Sequence, residues 1–251
     1  MIGRFSLIAF FCAAVSAGPT ASAQMRIPEK FTNLQVLPKD IGRDDLVTTM
    51  RNINGALGVR CDHCHVSADS GLVFAADDKP TKKMAREMFR LVSDINGKLA
   101  SLGVNPDARS RVRCVTCHHG LAKPRTLSAE LMTAYDAKGV DSAKALYRSL
   151  RTRYYGRAAY DFSEGSLSTV ADEIAAKPER RRDAIAVWEL NLEYAPQSMT
   201  SYLALARLHT IGGDTTQAIA VLTKATEHDP QNRQVQQMLS ALRGGARRPS
   251  P

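Results

Sequence analysis

No apolar run in the 251-residue sequence is long enough to cross a bilayer, since a spanning helix needs about 20 consecutive apolar residues. The run from Phe5 to Val15 falls well short of that. Aromatic residues make up only 6% of the chain, with one tryptophan. The cations are dispersed, so the basic groove with interleaved aromatics that marks nucleic-acid binders is not indicated. No Gly-rich phosphate loop, paired carboxylates or nucleophile with an adjacent base stands out, which leaves the common hydrolytic and phosphoryl-transfer chemistries without a motif. Cysteine is sparse as well: five residues, of which Cys12 lies in the apolar run at the amino terminus.

That terminus reads as an address rather than a structural element. MIGRFSLIAFFCAAVSAGPTASA has an early cation at Arg4, the apolar run, and the small residues Ala21-Ser22-Ala23 before Gln24. This is the layout of a secretory signal peptide over residues 1–23, cleaved after about Ala23. The expectation is a periplasmic protein with no transmembrane segment in the mature chain. Loss of Arg4 lowers the formal charge from +9 to +8, and residues 24–125 carry +6 of it. Such a basic half can steer an acidic partner.

The four remaining cysteines form two pairs, Cys61 with Cys64 in GVRCDHCHV and Cys114 with Cys117 in RVRCVTCHHG. Two disulfides, redox dithiols and zinc all use such pairs. The histidines decide among them. His65 and His118 each follow the second cysteine directly, and CxxCH is the pattern of c-type haem attachment. Two thiols bonded to the porphyrin vinyl groups fix the macrocycle, and the adjacent imidazole becomes the proximal iron ligand. The 49 residues between the pairs exceed the spacing of a zinc ribbon, and an oxidising compartment is hard on free thiolates. The expectation is heme c, two per chain, covalently bound.

Helical patterns precede each motif. In RDDLVTTMRNINGALG, Leu46, Met50, Ile53 and Leu57 share a face, with Asp44 and Asp45 at the start and Gly58 at the end. Met50 is thereby a candidate distal ligand, although a methionine on such a stripe also serves as core filler. In KPTKKMAREMFRLVSDINGKLASLG, Pro80 suits the first turn. Met84, Met88, Leu91, Ile95, Leu99 and Leu102 recur at helical steps. Met88 is the candidate distal ligand of the second haem, with Met84 competing one turn earlier. His63 and His119 are alternative imidazoles, and Arg60, Arg111 and Arg113 are candidate partners for haem propionates.

Together, NLQVLPKDIGRDDLVTTMRNINGALGVRCDHCHV, DKPTKKMAREMFRLVSDIN and RVRCVTCHHG, spanning about Asn33 to Pro124, resemble the haem-binding repeat of the photosynthetic reaction-centre cytochrome c subunit. The resemblance implies a distal methionine on the helix before the haem motif, which matches Met50 and, with a longer gap, Met88. Members of that family typically hold four haems and are often lipid anchored. This chain has two motifs and no lipobox, and so resembles stand-alone dihaem relatives.

Beyond residue 125 the pattern changes. AIAVWELNLEYAP from Ala184 and AIAVLTKATEHDP from Ala218 are offset by 34 residues, an offset repeated between Pro196 and Pro230. This is the tetratricopeptide period of two helices per unit. Residues around 141–177 read as two further helices joined near Gly156 to Gly165, and Gly212-Gly213-Asp214 as a turn. The fold class expected is mainly α: a multihaem cytochrome c domain over 24–125, then an α-helical tetratricopeptide-like repeat domain over 126–244, and a disordered tail over 245–251. The function expected is outer-sphere electron transfer rather than enzymatic turnover. The partners expected are redox proteins, including a membrane-bound complex docked through the repeats, such as a photosynthetic reaction centre or respiratory chain. A dihaem peroxidase with one open iron is the alternative.

Overall fold

The computed structural model describes residues 27–69, 71–103 and 110–245. The expected signal peptide and all but the first residue of the expected tail lie outside them. Among the described residues the fold is mainly α, with ten α-helices and one short hairpin. None of these helices is long and apolar enough to cross a membrane. Packing divides the chain into two compact units, one of residues up to 50 together with 60–106, the other of 51–59 with 107 onward. The sequence division at residue 125 is a different one, by motif rather than by packing.

Helix α1 (Arg43–Leu57) begins with Asp44 and Asp45 in its first turn, where carboxylates offset the positive end of the helix dipole. It stops at Gly58, whose φ of 65° is left-handed. The Val59 amide returns to the Asn54 carbonyl at 3.1 Å, the closing bond of a Schellman motif.

In the first unit a hairpin of β1 (Val66–Ala68) and β2 (Gly71–Val73) pairs Val66 with Val73 and Ala68 with Gly71. Helix α2 (Pro80–Ser101) follows, with Pro80 in its first turn, where a missing N–H costs nothing. The link between them is tied down by Asp77, which pairs with Lys82 at 2.9 Å and Arg86 at 2.8 Å. Lys82 also donates to the Phe74 and Ala76 carbonyls, and Asn33 donates to Ala75.

The apolar stripe of α2 read from the sequence faces outward except at Leu99. The helix's buried positions are Arg86 and Asn96, whereas Met84, Met88, Leu91, Ile95 and Leu102 are all exposed. Ala85, Phe89, Val92 and Leu99 form the half-buried side. The helix is apolar over so wide an arc that periodicity did not choose between neighbouring stripes. Arg86 is buried because Asp77 pairs with it. Asn96 is buried with its amide on the Val92 carbonyl.

In the second unit the five-residue helix α3 (Cys114–His118) precedes seven longer ones: α4 (Leu127–Lys138), α5 (Val140–Tyr154), α6 (Glu164–Ala175), α7 (Arg181–Tyr194), α8 (Met199–Ile211), α9 (Thr215–His228) and α10 (Arg233–Gly245). Thr126, Ser198 and Asp214 cap α4, α8 and α9 with side-chain oxygens, satisfying amides left open by each first turn. From α6 onward each long helix packs on the next, and α4 packs on α5 and α6. One core joins α4 to α8 around Trp188, which is 2% exposed. A second, around Leu222 and Val235, continues through α10. Asn191, buried on α7, donates to the Glu164 carbonyl and to the Ser168 and Ser201 hydroxyls, linking α6, α7 and α8.

Candidate haem-attachment sites

Each CxxCH motif is folded as a single helical turn entered from extended backbone. Arg60 is extended, Cys61–His63 form one 3₁₀ turn, and the His65 amide reaches the Cys61 carbonyl at 3.0 Å. Residues three apart on such a turn lie on the same side, which is the placement two thiols need to hold one macrocycle. Arg113 is likewise extended, and its amide donates to Thr116 Oγ1 at 3.0 Å at the start of α3.

None of the four cysteines is in a disulfide. Burial pushes the Cys64 thiol above its ordinary value, against opposing effects from the Thr81 hydroxyl and Lys79. Among the described residues no three His, Cys, Asp or Glu gather as metal ligands, whereas structural zinc takes four.

His65 packs edge-on against Phe74, ring centroids 5.0 Å apart, because the hairpin brings Phe74 back over the motif. Thr81 Oγ1 bonds the His63 carbonyl at 2.6 Å, and Lys79 bonds that of Asp62, so the start of α2 holds the turn. The buried His65 Nδ1 has no hydrogen-bond partner. Burial first, then the charge of Lys82, holds the imidazole below its ordinary pKa and keeps it neutral, the form that ligates iron.

His118 is oriented differently. Its Nδ1 lies 2.7 Å from the Leu121 carbonyl. A carbonyl only accepts, so Nδ1 carries the proton and Nε2 is left with its lone pair, the arrangement found behind metal-bound imidazoles. The turn that brings Leu121 round uses His119 at φ 47° and Gly120 at φ 87°. Beside Cys117 an open cavity of about 690 Å³, lined by Leu121, Arg125, Tyr160 and Ser166 among others, leaves room for a bulky group. Both thiol pairs and both imidazoles therefore fit haem attachment.

The candidate distal ligands are placed unequally. Met50, on α1, is half-buried one turn from buried Leu46 and belongs to the same unit as the first motif. Met88 is 36% exposed and Met84 59%; both are in the first unit, and the second motif is in the other. His119, Arg60, Arg111 and Arg113 are exposed, and His63 is half-buried. Sequence reasoning missed Phe74, Lys82 and the Leu121 carbonyl. Only Phe74 left a signal, as an aromatic within ten residues of the motif; a backbone carbonyl leaves none.

The model of the photosynthetic reaction centre cytochrome C subunit family matches residues 11–153, more than half of the chain. The chain is 34% identical over 119 residues to the photosynthetic reaction center cytochrome c subunit of Thermochromatium tepidum, covering 45% of this chain and 25% of that protein. It is 42% identical over 69 residues to cytochrome c-554 of Chloroflexus aurantiacus, covering 27% of this chain and 15% of that one. The matches thus span a quarter or less of these relatives. With two such motifs on a mainly helical frame, the chain belongs to the photosynthetic reaction centre cytochrome C subunit family.

Proposed function

We propose that the protein is an exported dihaem electron carrier, with one heme c on Cys61 and Cys64 under His65 and another on Cys114 and Cys117 under His118. The observation that carries this reading is the pair of CxxCH turns, one with a His65 imidazole held neutral by burial and the other with His118 Nδ1 held on the Leu121 carbonyl. Heme c supplies a one-electron couple when bound. Met50 closes the distal side of the first site and Met88 that of the second. A His/Met pair raises the potential and keeps substrates off the iron, which suits outer-sphere transfer.

Residues 126–244 form tetratricopeptide-like repeats in this reading, supported by the start of α7 and of α9 being 34 residues apart. Repeats of this kind offer a surface for a protein partner, here a membrane-bound redox complex on the periplasmic side. Visible spectra of the haem-loaded protein test the proposal. Low-spin bands with a methionine-to-iron charge-transfer band are expected, and Met50→Ala and Met88→Ala should each remove part of that band. If neither substitution changes it, the methionine assignments fail. A high-spin fraction that binds cyanide or peroxide would favour the peroxidase-type alternative.

A further inference from the structure

The end of α1 and the turn after the second motif touch at two glycines. The Gly120 amide donates to the Ala56 carbonyl at 2.8 Å, filling one of the acceptors that a helix end leaves open. Gly58 meets the same residue from the side: a Cβ there would lie 2.1 Å from the Gly120 oxygen and 3.0 Å from its carbonyl carbon. Gly58 therefore has two reasons to lack a side chain, its left-handed φ of 65° and this approach. Ala56 and Leu121 on either side are both buried.

The contact continues into the imidazole. Gly120 is followed by Leu121, whose amide donates to the His118 carbonyl at 2.8 Å. The Leu121 carbonyl accepts from His118 Nδ1 at 2.7 Å. Displacing Gly120 displaces the acceptor that fixes the ring.

We infer that Gly58 is a positioning residue for the second haem: by seating Gly120 it holds the Leu121 carbonyl on His118 and so sets that haem's reduction potential. This rests on the second motif carrying a haem. Sequence distance predicts the opposite, because Gly58 is three residues before Cys61 and 60 before His118. A carbonyl accepting from the distant ring nitrogen makes the ligand more basic and favours ferric iron, so loosening that bond raises the potential.

The test is a potentiometric titration of the haem-loaded full chain. A Cys114→Ser/Cys117→Ser variant, which retains only the first haem, assigns the two components. Gly58→Ala adds both the clash and the backbone strain. Gly58→Asn adds the clash with less strain, because Asn tolerates positive φ, and it serves if the alanine variant does not fold. Gly55→Ala, whose Cβ meets nothing within 4 Å, is the control.

Both Gly58 variants should raise the second component by about tenfold in its equilibrium constant, or about 59 mV for one electron. The first component should not move, and Gly55→Ala should move neither. In the reduced wild type, the His118 Nδ1 proton should exchange slowly by NMR. A shift of the first component alone, no shift in a folded Gly58 variant, or a fast-exchanging His118 proton would overturn the inference. Peptide mass mapping separates the underlying reading: a Cys114 to Cys117 peptide without haem sinks the second site itself.

Discussion

Trp188 offers the clearest energetic test of the helical unit. It is the only tryptophan, is 2% exposed, and lies on α7 in the core that joins α4 to α8. A buried indole removes about 150–250 Å² from water, worth about 4–6 kcal/mol at ~25 cal/mol/Å². Measured Trp→Ala truncations in cores cost about 3–5 kcal/mol. Domains are stable by only about 5–15 kcal/mol, so Trp188→Ala should remove a large part of the stability of this unit. Trp188→Phe, which keeps a ring, should lose less. The assay is urea unfolding followed by far-UV circular dichroism. A loss under about 1 kcal/mol for the alanine variant, the scale of a surface substitution, would refute the reasoning and make Trp188 a contact residue.

Three further outcomes follow from named groups. Arg86 first, then Asn33 and Lys82, hold the Asp77 carboxylate well below the usual carboxylate range. Its contribution is therefore present above the unfolded value near about 4 and is lost as pH falls through the lower folded value. Asp77→Asn should lower the urea midpoint at neutral pH and flatten its fall below about pH 4; parallel pH profiles would contradict this. Asn191→Leu should cost about 1–3 kcal/mol in urea unfolding, because the Glu164 carbonyl and Ser168 and Ser201 hydroxyls lose a buried donor; an unchanged midpoint would show that they find other partners. Leu121→Ala keeps the carbonyl that accepts from His118, so it should lower stability yet shift the second potential less than Gly58→Asn does; the reverse order in titration would contradict a backbone role.

Much of the helical framework was legible because its boundaries are chemically marked. The acidic first turn of α1, Pro80 at the start of α2, and the Gly212-Gly213-Asp214 turn before α9 all stand where their residue types require. The loop between α5 and α6 likewise falls between Tyr154 and Glu164, overlapping the expected Gly156–Gly165 link. The α2 face was not legible, since Arg86 and Asn96 are inward only through Asp77 and the Val92 carbonyl. Helix α4 also escaped notice: Leu127, Leu131 and Tyr135 are its buried positions, too few in twelve residues for periodicity to register.

The site divides in the same way. Cysteine and histidine at fixed spacing were readable because the proposed attachment and ligation would demand those side chains. The Leu121 carbonyl was not, because a backbone acceptor leaves no residue-type signal, and the approach of Gly58 to Gly120 was not, because it joins backbone atoms 62 residues apart. Met50 stood out by its place on the helix before the first motif and by the resemblance, and it is half-buried.

The most direct measurement of the central claim is the number of haems held covalently by the matured protein. A pyridine haemochrome assay against protein concentration, paired with intact mass after denaturation, counts them. Two haems per chain, both retained through denaturation, is the result predicted. One haem, none, or haem that dissociates on denaturation would contradict the account.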